Sequence, residues 1–100
     1  MYGTVARLRV KPGAAEKLIE FARAEAAIGI PGFIFQYVYQ LDQDPLNCIL
    51  VVGFTDKTAY VKNAESPEQH QRYLAFRALL DADPEWHDGE IVDVYQRSTA

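Results

Sequence analysis

The stretch Phe33-Ile34-Phe35-Gln36-Tyr37-Val38-Tyr39-Gln40-Leu41 alternates in a way that leaves neither face of a strand to water. At period two, Phe33, Phe35, Tyr37, Tyr39 and Leu41 share one side, while Ile34, Gln36, Val38 and Gln40 share the other. A strand of this composition needs cover on both faces. In a chain of 100 residues, helices suffice for one of them. The second face must meet a second copy of the chain or an aromatic ligand.

The segments around this strand set its partners. Tyr2 to Val10 alternates with Tyr2, Thr4, Ala6, Leu8 and Val10 on one side and reads as a first strand, broken by Lys11-Pro12-Gly13. From Ala14 to Ala27 the period becomes helical, with Ala15, Leu18, Ile19, Ala22 and Ala26 on one stripe. Pro31-Gly32 suits the central pair of a type II turn ahead of the aromatic strand. A polar turn at Asp42 to Pro45 leads into Cys48 to Phe54, whose near-continuous apolar run predicts a central strand in a hairpin with the preceding one. Thr55-Asp56 caps a short helix reaching Asn63, and Ser66-Pro67-Glu68-Gln69 opens another with serine at the N-cap and proline at N1. That helix runs to Leu80 and turns Tyr73, Phe76, Leu79 and Leu80 inward; Asp83-Pro84 stops it. Asp88-Gly89 reads as a turn into a last strand, Glu90 to Gln96. With no repeat and no linker, residues 1–100 form one domain of order β-α-β-β-α-β. This is the ferredoxin-like α+β arrangement, an antiparallel four-stranded sheet with helices on one side. Its bare apolar side predicts a homodimer.

Composition removes several function classes. A net charge of −4 speaks against nucleic acid and anionic lipid, both of which need a basic footprint. No apolar run approaches the roughly 18 residues of a membrane span, and no signal-type segment opens the chain, so a cytoplasmic protein is expected. Cys48 lies inside the apolar run to Val52 and reads as a buried, unreactive thiol. Glu85-Trp86-His87-Asp88 carries one histidine and no second ligand at helical spacing, so no metal site is expected there. Trp86 is read as packing a loop onto the mouth of the fold or onto a partner subunit.

Several of these segments resemble the antibiotic biosynthesis monooxygenase (ABM) family. The similar stretches are Val5-Ala6-Arg7-Leu8-Arg9-Val10-Lys11-Pro12-Gly13, Pro31-Gly32-Phe33, Ile49 to Asp56 with Ala59-Tyr60, and Ala64-Glu65-Ser66-Pro67. The resemblance spans essentially the whole chain. It implies a dimeric α/β barrel made of two ferredoxin-like sheets, and an oxygenase that oxidises a phenol, quinol or anthrone with no cofactor. Family members that degrade haem rely on a first-strand asparagine and on a tryptophan and a histidine after the third strand. Without gaps around Ser66 those positions fall at Ala6, Asn63 and Tyr73, and all three differ.

A cofactor-free oxygenase needs a dry aromatic pocket, a route for the substrate proton and a group that balances negative charge. Asn63, His70 and Tyr73, near the break between the two helical pieces, are the candidates for orienting and deprotonating the substrate. His70 and Tyr73 are three apart and so neighbours on a helix. Arg7 is the candidate for charge balance; arginine stays protonated and cannot be the base. Phe35, Tyr37, Phe54, Tyr60 and Trp86 are the expected substrate-enclosing residues. A second reading stays open, in which the same dimeric barrel binds a small apolar molecule, haem included, without turnover.

Overall fold

The computed structural model describes residues 1–97. Strands β1 (Tyr2–Arg9), β2 (Phe33–Gln40), β3 (Asn47–Phe54) and β4 (Glu85–Glu90) form one antiparallel sheet of order β2-β3-β1-β4. Helices α1 (Ala15–Ala26), α2 (Lys57–Ala64) and α3 (Pro67–Arg77) complete the βαββαβ order of a ferredoxin-like α+β fold. The apolar run of β3 is central, as its composition requires, and β1 lies beside it. The register pairs Thr4 with Val52 and Ala6 with Leu50, which puts Thr4, Ala6 and Leu8 on the helix-covered side. Leu8, Val10 and Leu80 are fully buried there, with Leu18 and Phe76 packed around them.

Local chemistry explains where the helices begin. Asp56 accepts a 2.8 Å hydrogen bond from the Ala59 amide at the start of α2, and Ser66 accepts one of 3.1 Å from the Gln69 amide at the start of α3. Pro67 occupies the first turn of α3, where no amide donor is missed. Gly32 follows Pro31 with φ 82°, and the Phe33 amide donates to the Ile30 carbonyl at 3.1 Å, closing the type II turn. A Cβ on Gly32 would also lie 2.5 Å from the Ala59 Cβ, so glycine is required twice over.

Two strand readings are corrected. The β2–β3 register shifts between Phe33 and Phe35, a bulge that spends Ile34 as an extra residue. Phe33 therefore joins Gln36 and Val38 on the helix side, while Phe35, Tyr37 and Tyr39 occupy the opposite face. Period two alone puts Phe33 and Phe35 together. The last strand is Glu85–Glu90, not Glu90 to Gln96, and Asp88-Gly89 is strand rather than turn. The Val10–Leu80 bridge delivers the chain to the end of β1 early, so β4 pairs Arg7 with Glu85 and has reached Tyr2 by Glu90. Beyond Glu90 little of β1 remains to pair with: Ile91 donates one bond to the Met1 carbonyl, and Val92 is 90% exposed. Strand propensity in Ile91 to Tyr95 loses to register.

Candidate active site

The helices do not seal the sheet. Between them lies a cavity of about 460 Å³, open on one side. Its floor is the helix-facing side of the strands, with Thr4, Leu8, Val38, Leu50 and Val52; α1 and α3 supply Phe21, Tyr73 and Phe76 above it. Two aromatic groups stand at its walls. Phe33 meets Phe54 edge-on at 5.9 Å and Phe54 meets Tyr60 at 5.5 Å, while Phe76 contacts Phe21 at 5.9 Å and Tyr73 and Trp86 at 6.4 Å. The volume and the aromatic lining suit a small planar ligand.

Besides His70, Tyr73 and Gln36, which donates to the Ala22 carbonyl at 2.7 Å, the polar groups lining this cavity form two clusters. In the first, Arg72 on α3 pairs with Glu25 on α1 at 3.1 Å and donates to the Gln69 side-chain oxygen at 3.0 Å and to Asn63 Oδ1 at 3.4 Å. Gln69, which the capping pattern would aim back at the helix start, is taken up by Arg72 instead. Glu25 is largely removed from water, and this burial, opposed by the Arg72 charge and hydrogen bond, raises its carboxyl above the ordinary value. Asn63, Arg72 and Ile30 also line a second hollow beyond α2, so this cluster is the partition between the two.

The second cluster lies over β1 and β4. The Tyr60 hydroxyl donates to Asp88 Oδ1 at 2.9 Å. Burial, then the hydrogen bond and charge of Asp88, push the tyrosine hydroxyl far above its ordinary value, so it stays protonated. Thr4, opposite Asp88 in the register, is 5% exposed. Its hydroxyl stands near Tyr60 and works against that rise, yet Thr4 Oγ1 makes no hydrogen bond of acceptable geometry. It is a buried oxygen without a partner at the edge of an aromatic cavity.

The structure brings together Asn63, His70, Tyr73, Phe54, Tyr60 and Trp86, all of which line the cavity. His70 does so from an exposed position on α3. Trp86 projects from β4, not from a loop, because strand alternation turns Trp86 and Asp88 to the cavity and Glu85 and His87 away from it. That alternation also splits the Glu85 to Asp88 run between two faces. Arg7, Phe35 and Tyr37 are separated from the cavity by the sheet itself. Arg7 pairs with Ile49 on the open face, near Val5 at 44% and Tyr37 at 56% exposure. Thr4, Glu25, Gln69, Arg72 and Asp88 escaped the sequence reading. Asp88 was legible once Trp86 was placed on a strand; Glu25 and Arg72 meet only through the packing of α1 over α3.

A sheet with a half-open aromatic cavity beneath its helices defines a small α+β protein of ferredoxin-like topology. The chain belongs to the antibiotic biosynthesis monooxygenase family, whose sequence profile matches residues 1–78. Among solved structures it is similar to SnoaB, a cofactor-independent oxygenase from Streptomyces nogalater, in an asparagine-to-alanine variant (19% identity, TM-score 0.80, 96% of this chain and 97% of that one). A protein from Chloroflexus aurantiacus assigned as an antibiotic biosynthesis monooxygenase shares 23% identity, with TM-score 0.77 and coverage of 95% and 96%. One from Deinococcus radiodurans with the same assignment shares 16%, with TM-score 0.76 and coverage of 99% and 100%. A comparison with curated proteins finds no match. Among the described residues no helix is long and apolar enough to cross a membrane.

Proposed function

We propose that this protein is a cytoplasmic, cofactor-independent monooxygenase that oxidises a small planar phenol, quinol or anthrone in the cavity between its sheet and helices. The observation that carries the proposal is the cavity itself: about 460 Å³, with aromatic walls and a small set of polar groups. Family membership and the fold shared with SnoaB support the oxygenase chemistry. In this reading the aromatic walls hold the ring away from bulk water. The substrate loses its phenolic proton, the anion passes an electron to dioxygen, and the radical pair recombines and takes up a proton to give a hydroperoxide. Its O–O bond then breaks as the same carbon loses its hydrogen, leaving a carbonyl and water. Asn63, His70 and Tyr73 orient the substrate. Arg72 takes the charge-balancing role that the sequence suggested for Arg7, since it is the arginine that lines the cavity.

The open face of the sheet is where two copies pack. Val5, Tyr37 and Tyr39 are 44%, 56% and 62% exposed on it, beside Phe35 and Val51. Such a surface supports sheet-to-sheet pairing into an α/β barrel. Arg7, Phe35 and Tyr37 then serve the interface rather than the substrate.

Oxygen-electrode measurements with an anthrone and a quinol panel test the enzyme reading. Uptake above the spontaneous rate, lowered at least tenfold by an Asn63→Ala, His70→Ala double substitution, is the expected result. Binding of these compounds without uptake returns the protein to a binding-only class. Uptake unaffected by the double substitution removes these residues from the site.

A further inference from the structure

We infer that Thr4, Tyr60 and Asp88 form a built site for a phenolic hydroxyl and a relay that carries its proton out of the cavity. The inference rests on the cavity reading above and adds the group that takes the proton and the point where the ligand oxygen sits.

Three observations meet here. The Thr4 hydroxyl is buried in a cavity-lining position with no partner, so it has one donor to give to a ligand oxygen. Tyr60 has already committed its proton to Asp88 at 2.9 Å, so what it offers the cavity is an acceptor lone pair. Asp88 is exposed, so its far side meets water. A phenol placed between Thr4 and Tyr60 accepts from the first and donates to the second, and every group in the row is satisfied. A ligand with a carbonyl alone would use Thr4 but leave the Tyr60 oxygen unmet.

The same row moves a proton. The phenolic O–H bond breaks as its proton passes to the Tyr60 oxygen, and the tyrosine's own proton passes to Asp88 Oδ1. Asp88 releases that proton to solvent. What remains is a phenolate that accepts hydrogen bonds from Thr4 and from Tyr60, whose hydroxyl now points inward. Asp88, left without its tyrosine donor, is solvated from outside. Tyr60 is neutral before and after, which fits a hydroxyl that buried surroundings keep protonated. The other carboxylate in the cavity, Glu25, is already paired with Arg72.

The test uses 2-naphthol and naphthalene as probes on the whole protein, read by fluorescence titration and by the red-shifted absorbance of naphtholate at fixed pH. Wild-type protein is expected to bind 2-naphthol about tenfold more tightly than naphthalene, the worth of one net hydrogen bond. It is also expected to raise the naphtholate fraction above that of free 2-naphthol. Thr4→Val and Tyr60→Phe each remove the binding preference while naphthalene affinity holds. Asp88→Asn, which cannot take up the tyrosine's proton, slows the appearance of bound naphtholate at least tenfold in stopped-flow mixing. If the preference survives Thr4→Val and Tyr60→Phe, or naphtholate appears as fast in Asp88→Asn as in the wild type, the relay is overturned and the cavity reading stands. If neither probe binds the wild-type protein, both fall together.

Discussion

Replacing Thr4 with valine should make this protein more stable. Valine matches threonine in shape, so the substitution exchanges one hydroxyl for a methyl group with the β-branched backbone preference unchanged. The hydroxyl oxygen is shielded from solvent and without a partner. A buried polar group left unpaired costs about 1–3 kcal/mol, and valine removes that cost. For a domain of this size each kcal/mol moves Tm by roughly 4–8 °C, well within the resolution of urea or thermal unfolding followed by circular dichroism. Thr4→Ser is the control. It keeps the unpaired hydroxyl, gives up a buried methyl worth about 0.8 kcal/mol, and should fall below wild type. The pair therefore splits in opposite directions, valine up and serine down. If valine lowers the stability, Thr4 has a partner in the folded protein, and the argument that its hydroxyl waits for a ligand is refuted. A site that costs stability when empty is the expected signature of a binding group.

Other outcomes follow from the same geometry. Arg72→Met should cost about 1.5–3 kcal/mol, because it leaves the half-buried Glu25 without its charged hydrogen-bond partner; a double-mutant cycle with Glu25→Gln in urea unfolding should show coupling between the two. Burial raises Glu25 above its ordinary value of 4.5, so the folded state holds this proton more tightly than the unfolded chain. Its contribution is most favourable at low pH and declines as pH rises from that value through the raised one. Glu25→Gln should remove this decline from a plot of urea midpoint against pH. Gly32→Ala should destabilise by at least about 1–2 kcal/mol, since φ 82° is left-handed backbone and the new Cβ would meet Ala59; no change in the unfolding midpoint would contradict the turn geometry. Tyr37→Glu with Tyr39→Glu should convert a species of twice 11.3 kDa into one of 11.3 kDa in light scattering. Cys48, 3% exposed and with its thiol pushed up by burial, should resist thiol reagents until the protein is unfolded.

Much of the architecture was legible in the order of residues because local rules produce it. Alternation marks β1 and β3; Asp56, Ser66 and Pro67 mark the helix starts; Pro31-Gly32 marks the turn. Each signal acts within a few residues, and each survives in the fold. The family follows from stretches of the same short range, and with it the expectation of an aromatic pocket holding Asn63, His70 and Tyr73.

What the chain order left open depends on contacts between residues far apart. A single bulge at Ile34 exchanges the faces of Phe33 and Phe35, because side chains alternate at period two and one extra residue inverts everything before it. The Val10–Leu80 bridge places Glu85, not Glu90, beside β1, and so turns Trp86 and Asp88 into cavity residues. Arg7 and Arg72 are equivalent as charges in a sequence; the thickness of the sheet makes one a surface group and the other the partner of Glu25. Pairing register and helix placement are settled by packing over the whole domain, and that is why the polar clusters of the cavity came into view only with the fold.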